Sequence, residues 1–295
     1  MELLVITIVF LLPIIFVQGN SFINDEIDKK TIKRGVIFSA TSVSYLNNCT
    51  IIKLCEHKVP VTVFLPKSYD QMIESTYGCP QIIYVPFVSV NNVQVPKASS
   101  VSTEHMRDFN PKLVHARSFK IRSIQHCPFK QTLYLDNDIN IVNVEKVLDW
   151  FTVMEQSEKW ISMKNDHAIH KGHFYHLQHG IISRHGQLTI NERNTGIMYL
   201  MCDKPVILDM LQRWEYAYFN NATFDYHDQG PWITVLDKYY NEVFNQLLDL
   251  PEIYNCRYDL FRVQNRSSCY LNHVHETHYG KPIDPEIVGP RNCTL

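Results

Sequence analysis

Gln131-Thr132-Leu133-Tyr134-Leu135-Asp136-Asn137-Asp138-Ile139 decides how this chain is read. Thr132 to Leu135 favour a strand. They run straight into two carboxylates two residues apart, and an apolar residue follows at once. A short apolar run bounded by polar groups predicts a strand buried on both faces, the kind found inside parallel sheets. Ligands of open α/β sheets bind just beyond the carboxyl ends of such strands. Paired acidic oxygens there make a hard, negative, partly desolvated site that suits Mg²⁺ or Mn²⁺ better than a soft metal. An ion held by one or two carboxylates completes its shell with water and substrate phosphates. That chemistry points to a nucleotide-diphosphate ligand. Asp-Asn-Asp is also good turn chemistry, because Asx side chains bond their own backbone. A plain solvated turn is therefore the competing reading of the tripeptide.

The flanking sequence predicts the same architecture. Gly35 to Thr41 reads as a first strand, Ser44 to His57 as a helix, and Val59 to Leu65 as a second strand closed by Pro66. Gln81 to Val85 is a third strand. Asn110-Pro111 has the form of a helix cap followed by a first helical proline, and that helix should reach about His126 before Cys127-Pro128 stops it. Val144 to Glu158 reads as a helix and Ile197 to Met201 as a strand. Pro205 to Phe219 and Pro231 to Leu248 complete the helices. Alternating strands and helices imply right-handed crossovers and a largely parallel sheet. The expected fold class is α/β, one Rossmann-like domain over residues 33–285. The turn formers after Pro282 predict a loosely attached tail over 286–295.

Bulk composition narrows the function classes. The 295 residues carry a net charge of −2 and no long basic block, which argues against nucleic acid as the main partner. Leu3 to Val17 is apolar except for Thr7 and Pro13, too short for a comfortable membrane span. It closes on Val17-Gln18-Gly19, small enough for cleavage. Glu2 stands where a leader normally carries Lys or Arg, so residues 1–19 read as a signal peptide or a short signal-anchor. A membrane is a partner only if that leader is retained. Eight cysteines follow it, and none has the CxxC spacing of a zinc or redox centre. Sequons stand at Asn48, Asn221, Asn265 and Asn292. Leader, cysteines and sequons together predict the lumen of the secretory pathway (Golgi or endoplasmic reticulum) or secretion.

Three further constellations carry candidate chemistry. Asn194-Thr195-Gly196 precedes an apolar run; its Gly permits close backbone approach to a ligand, and its Asn can offer an amide to sugar hydroxyls. A strand-opening turn explains it equally. Asp228-Gln229-Gly230-Pro231 precedes a helix, so Asp228 reads either as its N-cap or as a group facing a ligand. His273 to Pro282 concentrates imidazoles, a flexible Gly280 and Lys281, a set able to complete a metal shell and neutralise phosphate. The alternative is a solvated loop. Separately, His167, His170, His173, His176 and His179 recur every third residue, with His185 beyond. Zinc binding or pH sensing is one reading; an exposed loop beside an acceptor cleft is the other.

In this order the motifs resemble those of nucleotide-sugar glycosyltransferases of the A-type fold, and specifically the retaining glycogenin-like (family 8-type) group. The match covers most of residues 35–282. The resemblance implies a UDP-sugar donor, Mn²⁺ or Mg²⁺, retention at the anomeric carbon, and a glycan, protein or lipid acceptor. It implies Asp136 and Asp138 as metal ligands, with His278 or His275 as the third. Thr41, Ser42, Tyr45, Lys120, Asn137, Gly196, Gly280 and Lys281 would line the donor site, Lys120 lying sixteen residues before Asp136. Asn194, Asp228 and Gln229 would face the transferred sugar. Two departures stand out: the final His-Tyr-Gly-Lys-Pro segment is compressed, and Asn191 with Glu192 stands where some relatives place an Asp. Glu192 is thus a candidate for the group facing the anomeric carbon. Two other classes fit the same sequence, an inactive lumenal binding protein of this fold and a secreted His-rich metal-binding protein.

Overall fold

Val36 and Phe38 face one side of β1 (Arg34–Ser39) and Ile37 the other, and each central strand repeats that division. The computed structural model describes residues 33–42, 45–66, 81–85, 111–165, 193–220, 228–257, 269–273, 277–278 and 281–282. Outside them lie the expected leader 1–19, the histidine series 167–185, Glu192, His275, Gly280 and the expected tail 286–295. The sequons at Asn221, Asn265 and Asn292 lie outside them too.

After β1 come α1 (Asn48–Glu56), β2 (Val61–Pro66), β3 (Gln81–Val85), α2 (Pro111–Gln125) and β4 (Gln131–Leu135). Then follow β5 (Ile139–Ile141), α3 (Val144–Gln156), β6 (Ile161–Asn165), β7 (Arg193–Met201) and α4 (Pro205–Asn220). The chain continues through α5 (Gln229–Lys238), α6 (Tyr240–Val243), β8 (Leu247–Asp249) and β9 (Cys256–Arg257), and closes with β10 (Leu271–His273), β11 (Thr277–His278) and β12 (Lys281–Pro282). Seven strands form the main sheet in the order β3-β2-β1-β4-β7-β6-β8. Neighbours from β3 to β4 are parallel, β7 runs against β4 and β6, and β8 is parallel to β6. The fold is therefore α/β with a mostly parallel central sheet, as the sequence predicts.

Burial on both faces explains the continuous apolar runs of β1, β2 and β4. Ile51 and Leu54 of α1, with Val147, Phe151 and Met154 of α3, cover one face. Ile121 of α2, Trp214 of α4 and Trp232 of α5 belong to the core on the other. A smaller sheet, β5-β10-β9, flanks the first, and the Cys256–Cys269 disulfide ties β9 to the chain before β10. A second disulfide, Cys127–Cys202, joins the chain before β4 to the chain after β7. Asn48, the described sequon, opens α1 and is half-buried. Among the described residues no helix is long and apolar enough to cross a membrane.

Three elements differ from expectation. α1 begins at Asn48 rather than Ser44, because the Asn47 side chain accepts from the Thr50 amide and caps the helix. The helix expected over 231–248 ends at Lys238; after α6 and a 3-10 turn, Leu247–Asp249 joins the sheet edge beside β6. Strand pairing there overrides local helix preference. Asn194-Thr195-Gly196 is not a turn ahead of a strand but lies within β7.

Helices α1 and α3 both stop in the same way. Lys58 and Glu158 adopt φ of 56° and 55°. In each case the next two amides return to the last turn: Lys58 N to Cys55 O and Val59 N to Leu54 O, then Glu158 N to Glu155 O and Lys159 N to Met154 O. This is the Schellman arrangement, which normally employs glycine. Glu158→Gly is expected to raise stability by roughly 0.5–1 kcal/mol by relieving the left-handed strain. Thermal unfolding checks it, and an unchanged or lower melting temperature counts against it. Gly35 in β1 is constrained in the opposite sense: a Cβ there would lie 2.3 Å from the Phe129 ring. Gly35→Ala is expected to cost about 1–3 kcal/mol by overpacking, measurable by denaturant unfolding.

Candidate active site

β1 and β4 are the adjacent strands from which the chain departs in opposite directions, to β2 on one side and toward β7 on the other. A crevice outside the carboxyl ends of the strands at such a switch point is where α/β sheets bind ligands. Thr41 and Ser42, both half-buried, follow the end of β1 there, and Asp136 follows the end of β4. Tyr45 lies just beyond with its side chain exposed.

The segment 136–139 is held from three directions. Asn137 Nδ2 donates to Ser39 O at 2.7 Å. Asn47 Nδ2 and Thr50 Oγ1, both at the start of α1, donate to Ile139 O at 3.0 Å each. The Asp136 amide donates to Gly196 O at 2.8 Å, which draws the Asn194-Thr195-Gly196 stretch against the carboxylates. Asn137, expected among the donor contacts, thus turns its amide nitrogen inward; its Oδ1 is buried and accepts no hydrogen bond from the described residues.

β7 reaches this point through a bulge. Met163 pairs with Met198, but Asn165 pairs with Arg193, so two steps along β6 match five along β7. Bulges break a strand's alternation and re-aim side chains. Thr195 Oγ1 here donates to Asp228 Oδ2 at 2.6 Å and accepts from Lys120 Nζ at 3.3 Å. The Asn194 side chain folds back to accept from the Gly196 amide at 2.9 Å.

Lys120 is the centre of the cluster. Its Nζ lies 2.8 Å from Asp228 Oδ2 and 3.0 and 3.1 Å from the two Asp136 oxygens. Arg117, one helical turn earlier on the same face of α2, places Nε 3.9 Å from Asp228 Oδ1. Asp228 precedes α5 but makes no side-chain capping bond, so the capping explanation of its sequence position does not hold. Instead its carbonyl accepts from Trp214 Nε1 at 2.8 Å, and its carboxylate faces Lys120 and Thr195. Trp214 of α4 and Trp232 of α5 meet as a tilted pair, ring centroids 4.9 Å apart, and pack the two helices together. Gln229, half-buried, opens α5.

These contacts drive the two carboxylates apart. Burial opposes ionisation of Asp228, yet the Lys120 ammonium, the Arg117 guanidinium and two hydrogen bonds hold its carboxyl well below the usual range. Asp136 is raised instead: burial favours its neutral form, and Asp138 and Asp228 add repulsion that Lys120 only partly offsets. Lys120 is itself buried, but its two carboxylate partners keep it charged.

Three carboxylates therefore meet two described cations, and the Asp136 side chain is partly open to solvent. Oxygen donors of this kind fit a hard divalent ion such as Mn²⁺ or Mg²⁺. Among the described residues no three His, Cys, Asp or Glu side chains converge on a metal. His278 and Lys281 are paired across the β11–β12 hairpin. Asp136, Asp138, Asn194, Gly196, Lys120, Asp228 and Gln229 are thus gathered around the carboxyl ends of β1 and β4 and the start of β7.

Tyr134, Thr195, Arg117 and Ser39 were not singled out in the sequence. Period-two spacing puts Tyr134 on the same face as Asp136, and helical spacing puts Arg117 beside Lys120; both were legible in principle.

No protein-family profile matches this sequence, and no curated protein matches it. Among solved structures it is similar to the apo form of mouse xyloside xylosyltransferase 1, at 11% identity over 86% of this chain and 100% of that one, TM-score 0.46. It is similar to the apo form of the glycosyltransferase GlyE of Streptococcus pneumoniae TIGR4, at 13% identity over 82% of this chain and 54% of that one, TM-score 0.44. The PaToxG glycosyltransferase gives 10% identity over 72% of this chain and 70% of that one, TM-score 0.39.

Lys120→Met would leave the buried Asp228 carboxylate with the Thr195 hydroxyl and, as a described cation, the more distant Arg117. Removing one partner of a buried pair is expected to cost on the order of 3–5 kcal/mol at neutral pH. Because the Asp228 pKa is depressed in the folded state, its stabilising contribution is present above the ordinary carboxylate range and is lost as pH falls below about 4. The gap between wild type and variant should therefore narrow in acid. Denaturant unfolding at pH 7 and pH 3 checks this, and a gap independent of pH would contradict it.

Proposed function

We propose that this protein is a metal-dependent glycosyltransferase that moves a sugar from a nucleotide-diphosphate donor, UDP-linked, to a glycan, protein or lipid acceptor. The observation that carries the proposal is the position of Asp136 and Asp138 at the carboxyl end of β4, beside the β1–β4 switch point. The ordered motifs described above add the sugar-nucleotide class, and the same resemblance supports retention. Leader, cysteines and sequons support action in the secretory lumen or after secretion.

Asp136 and Asp138 would hold Mn²⁺ or Mg²⁺, with His278 or His275 as a third ligand. The ion, when bound, supplies Lewis-acid stabilisation of the leaving diphosphate. Thr41, Ser42 and Tyr45 would line the base and ribose pocket. Lys281 would offset phosphate charge, and Gly280 and Gly196 would let backbone approach the donor. Lys120 has a different assignment from a simple phosphate contact: its ammonium sets the charge and position of Asp228. Asp228, kept ionised, with Asn194 and Gln229, would steady positive charge developing at the anomeric carbon through preorganised polar groups. Glu192 is the candidate to face that carbon.

Asp138→Ala is expected to lower sugar transfer by at least about 100-fold, the scale for removing a preorganised electrostatic group. Secretion and melting temperature should be unchanged. Mn²⁺-dependent release of nucleoside diphosphate, measured over a panel of nucleotide sugars, is the assay. Undiminished release by the variant, or release by wild type that survives chelation, would overturn the proposal.

A further inference from the structure

Tyr134 is one of the largest fully enclosed side chains of the protein, 2% exposed, yet it carries a hydroxyl where Phe would fill the same space. A buried tyrosine hydroxyl normally has a partner. Here the OH donates to Asp136 Oδ1 at 2.5 Å, and Ser39 Oγ lies 3.3 Å away at the end of β1. The Lys120 ammonium lies 5.2 Å from the ring centroid, over its face. Tyr134 and Asp136 share one face of β4, so the ring lies in the core while its hydroxyl reaches the strand end. The contact is charge-assisted, a neutral donor on a carboxylate, and it fixes one of the two Asp136 oxygens.

We propose that Tyr134 is a positioning residue for the cation site: its hydroxyl holds Asp136 Oδ1, beside the Lys120 ammonium that reaches both oxygens, and so sets the orientation in which the carboxylate meets a divalent ion. The proposal rests on the reading of Asp136 as a metal ligand. Partners of this kind, one bond removed from the metal, orient the ligand and typically account for about 10–100-fold in metal affinity. Asn137 and Asn47 hold the backbone on either side of Asp138, whereas Tyr134 and Lys120 hold the Asp136 side chain itself, Tyr134 through one oxygen alone.

The test is titration of the full chain with Mn²⁺ in the presence of UDP, following the electron paramagnetic resonance signal of free Mn²⁺. Tyr134→Phe is expected to weaken Mn²⁺ binding by about 10–100-fold, with the metal-free melting temperature within a few degrees of wild type. Asp136→Asn serves as the second variant. Adding Tyr134→Phe to it should weaken binding no further, because the hydroxyl acts only through that carboxylate. Equal affinity of Tyr134→Phe and wild type overturns the positioning role while leaving Asp136 as a ligand. Further weakening in the double variant overturns it as well, by showing that the tyrosine acts elsewhere. Wild type that takes up no Mn²⁺ with UDP overturns the reading of Asp136 and this inference with it.

Discussion

One buried ammonium shared by two carboxylates organises the site. Lys120 comes from α2, Asp136 from the end of β4, Asp228 from the start of α5, and Thr195 from the bulge of β7. These four elements come from different parts of the chain, and their polar ends meet because the apolar faces of α2 and α5 pack on the same side of the sheet that holds β4 and β7. A buried ion cluster of this kind is weak support for stability, since desolvation offsets most of the attraction. Its clearer consequence is to fix charge in place. Asp228 stays ionised and tethered, while burial and the neighbouring carboxylates hold Asp136 above the usual range.

That asymmetry divides the labour of the proposed reaction. The Asp136–Asp138 end, where Asp136 shares the Lys120 ammonium with Asp228, would accept a cation with its diphosphate. The Asp228 end is already neutralised by Lys120 and Arg117 and suits a subtler role beside the sugar. The backbone around the first is held by Asn47, Thr50 and Asn137 through carbonyls of the strand ends, and that at Asp228 by the Trp214 indole. Preorganisation of this sort lowers the reorganisation required when charge develops.

Much of the frame was legible in the sequence because burial on both faces leaves a plain signature. Val36-Ile37-Phe38 and Leu133-Tyr134-Leu135 are uninterrupted apolar runs, and two carboxylates directly after the second mark its carboxyl end as a site. Other features depend on partners distant in the chain. Ile161–Asn165 ends in Lys164-Asn165 and carries no strong strand pattern, so β6 was not anticipated. Without β6 the β7 bulge has no reference register, and Asn194-Thr195-Gly196 looks like a turn. Asp228 has the sequence of a helix cap, and only the tertiary position of Lys120 shows that its side chain is engaged elsewhere.

The most direct measurement is anomalous scattering at the manganese edge from crystals grown with Mn²⁺ and UDP. The account predicts a single strong peak within about 2–2.5 Å of carboxylate oxygens of both Asp136 and Asp138, the range for hard cations on oxygen. A peak bound elsewhere, or none while UDP is seen in the crevice, would contradict it.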